Sequence, residues 1–498
     1  LGELWDKLTE LSNSDMYPFH MPGHKRNIDT GMSTDLFFDR DITEIDDFDN
    51  LHDASSLLYT CQKRANDLYK AGETFFLVNG STCGVLSAVS AVAGDGDTIL
   101  TARNCHKSLF HAAYLRNLNL KYLYPENTSG FGFCGPVSPD DVADALMNNT
   151  EVKAVFITSP TYEGVYSDIR KIADIAHSHG LPLIVDEAHG AHLDIAEGMP
   201  EGAIAQGADI VIHSLHKTLP SVTQTALLHV NGDLVDRDRL KRFLRIYQSS
   251  SPSYLMMASI DDCITYMMQH GDEYAKALLS YHDQILDVAG RLRHLEVPGY
   301  SVVNDPCKIV ISCRNTSITG TQLYDILRSR YGLQPEMACE SYVLMIITGM
   351  DTQKGIERLI EALEDIDGAI ESKIDEFDSE TDHELNPDCI SEGYFENDHE
   401  VNTKDNSEAN NESDIRHERL TRSISLRNAW DREHEYIPLD SAPGRVAGDF
   451  VNLYPPGIPL VVPGEEISAD LIKAIKEDLD KGLNVQGIEQ KSLIRVVV

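Results

Sequence analysis

Basic residues are scarce in this chain: 498 residues carry 42 Lys and Arg against 80 Asp and Glu, a formal net charge of −38 at pH 7. Phosphate backbones are held by clustered Lys and Arg, so this deficit excludes nucleic acid as an expected partner. No apolar run reaches the ~18 residues that a membrane span needs, so no membrane partner is expected. The nine cysteines, Cys61, Cys83, Cys105, Cys134, Cys263, Cys307, Cys313, Cys339 and Cys389, are scattered without a C-x-x-C pair. That excludes a zinc knuckle or a dithiol redox site and fits a reduced compartment. Self-similarity at the period of a solenoid, on the order of 20–50 residues, is also missing. The start, Leu1-Gly2-Glu3-Leu4-Trp5, has neither an initiator Met nor a signal-peptide pattern. The expectation is a cytoplasmic protein trimmed at its start.

What is present suits an enzyme. Hydrophobic residues make up 42% of the chain, enough for a sizeable core, and the length suggests several domains or one large domain with appendages. Residues 1–50 read as an N-terminal arm, with a short amphipathic helix over Leu1–Leu11 and a loop at Phe19-His20-Met21-Pro22-Gly23-His24-Lys25-Arg26. Residues 51–270 alternate strand-like and helical runs, the pattern of an α/β domain with a mostly parallel sheet. Its seven expected strands are Thr74–Val78, Thr98–Thr101, Lys121–Tyr124, Ala154–Thr158, Leu183–Val185, Ile210–Ile212 and Ala226–Val230. A smaller α+β domain is expected over 271–371, opening with a helix at about Glu273–Leu295. Strands at Lys308–Ser312 and Tyr342–Ile347 then flank a helix at Gly320–Arg330, and a last helix covers Gln353–Ala369. Between Asp375 and Asp414 about fifteen acidic residues face the single Lys404. Such a stretch buries too little apolar surface to offset its ordering entropy, so 372–415 reads as a solvated, disordered insert. A C-terminal domain over 416–498 completes the chain.

Two segments carry most of the chemistry. Lys217 lies in Ile212-His213-Ser214-Leu215-His216-Lys217-Thr218, and Asp186 in Val185-Asp186-Glu187-Ala188-His189. Each follows an apolar run and so projects from the end of a buried strand. The two residues are 31 positions apart, room for a crossover and a return strand. A lysine there can form a Schiff base with an aldehyde cofactor, and an aspartate on a neighbouring strand can hold the proton of a pyridinium nitrogen. Pyridoxal phosphate needs those two groups most. Asn79-Gly80-Ser81-Thr82-Cys83-Gly84 joins a strand to a helix, where Gly80 permits a tight turn and the next N–H groups and hydroxyls form a phosphate seat. The same pattern caps ordinary helices. Ser214 and His216 flank Lys217 and can donate to the same phosphate. His106, in Asn104-Cys105-His106-Lys107-Ser108, is placed to lie on a cofactor ring, or is simply a histidine at a helix start. His189 can reach a ring hydroxyl; its H-x-x-H spacing to His192 offers a metal pair, but no third ligand stands out, so no metal is expected.

These blocks together resemble the Orn/Lys/Arg decarboxylase family, bacterial basic-amino-acid decarboxylases of the aspartate-aminotransferase fold. The carriers also include Phe19-His20-Met21-Pro22-Gly23-His24-Lys25, Ser159-Pro160-Thr161-Tyr162-Glu163-Gly164 and Tyr454-Pro455-Pro456-Gly457 with Pro463-Gly464-Glu465. The chain looks like the compact branch, close to biosynthetic arginine decarboxylases, and the acidic insert departs from the family pattern. The resemblance implies a fold-type I enzyme using pyridoxal 5'-phosphate, a homodimer or higher homo-oligomer with a site shared across subunits. The implied reaction is decarboxylation of a basic L-amino acid, arginine to agmatine first, feeding polyamine synthesis, with lysine and ornithine as alternatives. By position, Lys217 carries the cofactor, Asp186 pairs with its nitrogen and His106 stacks on its ring. Ser81, Thr82, Ser214 and His216 hold the phosphate, and His189 lies near the ring hydroxyl. Lys217 or His106 returns a proton to the α-carbon.

A distal substrate cation needs a carboxylate to offset its desolvation. Glu465 is the first candidate, with Glu44 and Asp46 of the arm as alternatives, each weighed against an ordinary structural salt bridge. Three rivals remain at this level. An aminotransferase or β-eliminating lyase shares the Lys–Asp pair and would fix the substrate carboxylate by arginine, for which Arg314 is available. The Asp186-Glu187-Ala188-His189 string suggests a helicase, but the required G-x-x-x-x-G-K-[ST] loop is absent. A non-catalytic homologue would lack the cofactor's absorbance.

Overall fold

The computed structural model describes residues 15–19, 44, 48–128, 130–371, 419–453, 458–490 and 492–498. The Leu1–Leu11 helix, most of the following loop, Asp46, the acidic stretch and Tyr454–Gly457 lie outside the described residues.

Seven strands form the central sheet: β1 (Glu73–Leu77), β2 (Thr98–Ala102), β3 (Asn119–Leu123), β4 (Val152–Thr158), β5 (Leu183–Asp186), β6 (Ile210–Ser214) and β7 (Ala226–Val230). Their order is β1-β7-β6-β5-β4-β2-β3. Strand β7 runs antiparallel to both neighbours, and the other pairings are parallel. The sequence predicts these seven strands, with ends displaced by at most two residues. They read as continuous apolar runs because both faces of the sheet are covered. Alternate side chains separate into two cores: Val155, Ile157, Leu183, Val185 and Val211 on one side, and Ala154, Phe156, Ile184, Ile210 and Ile212 on the other.

One helix differs from expectation. It spans Tyr254–Ala289, 36 residues, and begins well before Glu273. Its early turns bury Tyr254, Met257, Ile260, Cys263, Ile264 and Met267 at spacings of three and four, a single helical stripe that runs through position 270. Beyond it, Lys308–Ser312, Tyr342–Ile346 and Met337–Ala338 make a small antiparallel sheet, served by helices Gly320–Tyr331 and Gln353–Glu371. In the C-terminal part, two three-stranded antiparallel sheets and the helix Ala469–Asp480 enclose a third core around Val461, Ile472, Ile475 and Val496.

Candidate active site

Five parallel strands end at one place. There the sheet reverses its direction of winding between β2 and β4, and the carboxyl ends of such strands leave a crevice open. A cavity of about 390 Å³ occupies it. The end of β1 contributes Gly80, Ser81 and Thr82; β2 contributes Asn104 and His106; β5 contributes Asp186 and His189; and β6 contributes Ser214, His216 and Lys217. All eight residues expected to hold the cofactor therefore line one wall system, although they span 136 positions of the chain.

Lys217 sits in the single helical turn Leu215–Thr218, where its exposed fraction opens on the cavity deep inside the protein. Burial lowers its ammonium to about 8, with Asp186 pulling the other way and Lys308 adding to the fall. Its Nζ lies 2.9 Å from Nε2 of His189. An ammonium can only donate, so His189 carries its own proton on Nδ1; burial and then Lys217 hold that imidazole well below its ordinary value, hence neutral. Asp186 ends β5 and accepts from the Ala188 N–H at 3.2 Å. Burial raises its carboxyl, and Lys217 opposes that rise, so a second cation beside it would stabilise the ionised form.

His106 is the N-cap of helix Lys107–Arg116, its Nδ1 accepting from the backbone N–H of Ser108 at 3.2 Å, with the Ser108 hydroxyl at 2.9 Å. Since that N–H can only donate, the neutral ring bears its proton on Nε2. Burial, followed by the Lys217 charge, pushes His106 down to about 3. The helix Gly80–Val92 starts at the same cavity: Gly80 turns with φ +73°, and the N-cap Asn79 makes no side-chain bond to the first turn. That leaves a helix N-terminus with free N–H groups, suited to a phosphate.

Buried polar atoms without a partner test the fit of a cofactor. Asn104 Oδ1, Thr158 Oγ1, His189 Nδ1 and Ser214 Oγ are buried without a hydrogen bond, and all four residues face this cavity. Unpaired buried polar groups are costly and mark a ligand's place. The donor set, with an amine, a carboxylate that favours a cation and an anion seat, matches a phosphorylated pyridine aldehyde.

The family model for the Orn/Lys/Arg decarboxylase major domain matches residues 3–297, and that for the C-terminal domain matches 408–477. The chain belongs to the Orn/Lys/Arg decarboxylase family. It is 30% identical to an arginine decarboxylase of Bacillus subtilis (strain 168) and 29% identical to one of Bacillus anthracis, in each case over 99% of this chain and 97% of the relative. Among solved structures, lysine decarboxylase A from Pseudomonas aeruginosa superposes with a TM-score of 0.72 at 18% identity, covering all of this chain and 80% of that one. The expected fold-type I architecture and pyridoxal phosphate dependence follow, and this decarboxylase is a pyridoxal phosphate enzyme.

The residues expected to bind substrate are not brought here. Glu465 is buried and paired with Arg103 at 3.0 Å, and it does not line the cavity: the structural salt bridge takes the carboxylate that the sequence reading gave to the substrate. Glu44 lies beside Tyr254, away from the cavity, and Asp46 is outside the described residues. Arg314 is also committed, to Glu296 at 2.7 Å, to the Gly130 carbonyl and to the Phe131 ring. No arginine lines the cavity among the described residues, which removes the support for an aminotransferase. His189 and His192 take different partners, and that of His189 is the Lys217 amine at 2.9 Å. His192 bonds Asp305 at 2.8 Å, and the other oxygen of that carboxylate lies 3.4 Å from Nζ of the buried Lys308.

Sequence reasoning missed two cavity carboxylates. Glu163 follows β4 and accepts from the Tyr342 hydroxyl at 3.0 Å; Glu336 comes from the small-sheet side and accepts from the Tyr162 hydroxyl. Two reciprocal Tyr–Glu bonds thus tie Tyr162-Glu163 to the small sheet, and all four residues line the cavity. The Tyr162 ring also stands edge-on to His189 at 4.7 Å. Tyr162-Glu163 was visible inside a family block, without a sign of its partners; Glu336 had no local signal.

Proposed function

We propose that this enzyme decarboxylates L-arginine to agmatine, as a step toward polyamines, with L-lysine and L-ornithine as poorer substrates. The observation that carries this reading is the charge layout of the cavity. Lys217, Asp186, Glu163 and Glu336 all line it, with no arginine among the described lining residues. Such a site rejects a second carboxylate on the substrate and favours a distal cation. Arginine is preferred because the arginine decarboxylase relatives match 93–99% of the chain, whereas lysine decarboxylase LdcA of Pseudomonas aeruginosa matches 51% of it.

Bound pyridoxal phosphate supplies the electron sink for the pair left behind when carbon dioxide departs. The protein's part is placement and protons. Lys217 anchors the cofactor, and Asp186 keeps its ring nitrogen protonated. Ser81, Thr82, Ser214 and His216 hold the phosphate at the helix N-terminus; His106 lies against the ring and His189 near its hydroxyl. Of the two candidates for returning a proton to the α-carbon, Lys217 is the better. Its amine, at about 8, exchanges protons near neutral pH, whereas His106, at about 3, stays neutral there. Glu336 and Glu163 would take the guanidinium.

The working unit is proposed to be a cytoplasmic homodimer. The eight cysteines among the described residues form no disulfide with one another, which supports a reducing compartment. No described helix is long and apolar enough to cross a membrane. A product assay with cofactor and each of the three basic amino acids tests the reading. Agmatine and carbon dioxide in equal amounts, with kcat/KM for arginine at least about tenfold above the others, is the expected result. Amino-group transfer to a keto acid, or no product from any of the three, would overturn it; sedimentation as a monomer would remove the dimer.

A further inference from the structure

Glu465 and Arg103 stand 362 positions apart and are among the most enclosed charges in the protein, with side-chain exposures of 1% and 7%. Arg103 follows β2, one position before Asn104 and three before His106. Its guanidinium donates to the Pro459 carbonyl at 2.8 Å, to the Leu460 carbonyl at 3.4 Å and to Glu465 Oε2 at 3.0 Å. The same Oε2 accepts from the Val462 N–H at 2.8 Å. Aromatic rings flank the guanidinium, Tyr122 at 5.5 Å and Phe110 at 5.8 Å.

This arrangement is built for one geometry. Gly464 turns with φ +95°, and a Cβ there would come within 2.4 Å of the Ile424 carbonyl oxygen, so the turn that presents Glu465 accepts no side chain. The strand that Arg103 grips, Ile458–Val461, sends Ile458 and Leu460 into the cavity wall. A guanidinium can hold two carbonyls and a carboxylate in one plane, which an ammonium cannot.

We propose that Arg103 and Glu465 are positioning residues, a clamp that fixes the C-terminal strand Ile458–Val461 against the strand end bearing His106. The clamp sets both the seat of His106 on the cofactor ring and the apolar wall opposite it, and Glu465 takes no substrate cation. This rests on the proposed reading for the place of His106 against the cofactor ring and for its kinetic arm.

The test uses the holoenzyme carrying Glu465→Gln and, separately, Arg103→Lys. Three quantities are read: the visible-range circular dichroism of the bound cofactor, kcat and KM for arginine, and the melting temperature. Glu465→Gln should halve the cofactor dichroism and lower kcat about tenfold, with KM held within about threefold, because a displaced ring contact costs rate more than affinity. Arg103→Lys keeps the charge pair and loses the planar fork. It should fall between Glu465→Gln and the wild type, and it decides the matter alone if Glu465→Gln does not fold. A tenfold rise in KM with normal kcat and dichroism would return Glu465 to the substrate and overturn the clamp. A lower melting temperature with unchanged dichroism and kcat would also overturn it, leaving a purely structural pair. If the wild type decarboxylates none of the basic amino acids, the proposed function fails, and the dichroism still decides the clamp.

Discussion

Asp186 and Glu465 are both buried carboxylates, 5% and 1% exposed, and both face a basic residue. Their surroundings differ in how much hydrogen-bonding capacity is left over. Glu465 Oε2 serves the Arg103 guanidinium and a backbone N–H, and Arg103 also donates to the Pro459 and Leu460 carbonyls. Asp186 has one backbone donor, and it shares its cavity with four unpartnered polar atoms. Burial is therefore no guide to role here. Partnering is: the bonds of the C-terminal seat are made within the protein itself, while the cavity leaves buried polar atoms without a partner, for something that must enter.

The sharpest break in that comparison is at Lys217. Lys217→Ala should lower turnover by about 10³-fold or more, since it removes both the anchor and the proton carrier. The fold should remain, as judged by melting temperature, and borohydride should fix the cofactor on Lys217 in the wild type. A label found on another lysine would sink the assignment. The same amine predicts a pH effect in protein stripped of cofactor. Its folded value, about 8, lies below the unfolded 10.5. Between these values the unfolded chain holds a proton that the folded chain has released, so stability rises with pH through that window. Below pH 8 the folded protein bears the whole cost of a buried ammonium, at most about 3 kcal/mol and less where cavity water screens it. Lys217→Met should be more stable than the wild type at pH 7, and the gap should close toward pH 10.5. A gap that stayed constant would show that the amine is not depressed.

Asp186→Asn comes next, with kcat down about 100-fold and the cofactor retained, because an amide cannot keep the ring nitrogen protonated. Near-normal kcat would leave Asp186 as a structural cap for Ala188. Glu336→Gln should raise KM for arginine about tenfold, roughly 1.4 kcal/mol, with a smaller effect on kcat. An unchanged KM would move the guanidinium seat elsewhere, Glu163 being the next to change.

These expectations also show where the sequence was legible. The seven strands could be read because a strand buried on two faces is an unbroken apolar run, and Asp186 and Lys217 could be read because each ends such a run. The start of the Tyr254–Ala289 helix was missed, although its buried stripe is regular. Glu336 was not legible, because what makes it a cavity residue is the docking of the small sheet, which brings it to Tyr162 from 174 positions away. The partner of Glu465 was not legible for a related reason. A glutamate after Pro463-Gly464 reads the same whether it meets a substrate or an arginine, and its partner lies 362 positions upstream.

The smallest effect expected is at Ser108, and it probes a histidine that both regions share. His106 lines the cavity, yet its strand end is the one that Arg103 ties to the C-terminal seat. Its Nδ1 accepts from two donors of the same residue, the Ser108 N–H and the Ser108 hydroxyl. Ser108→Ala removes the hydroxyl and keeps the N–H, so the proton stays on Nε2 and the ring keeps its orientation. One neutral hydrogen bond of two is worth about 0.5–1 kcal/mol, and kcat should fall by no more than about threefold. The cofactor dichroism should be unchanged. A loss as large as that expected of Glu465→Gln would mean that the hydroxyl, and not the backbone donor, fixes the tautomer of His106, and that the ring is held from its own helix more firmly than from the clamp.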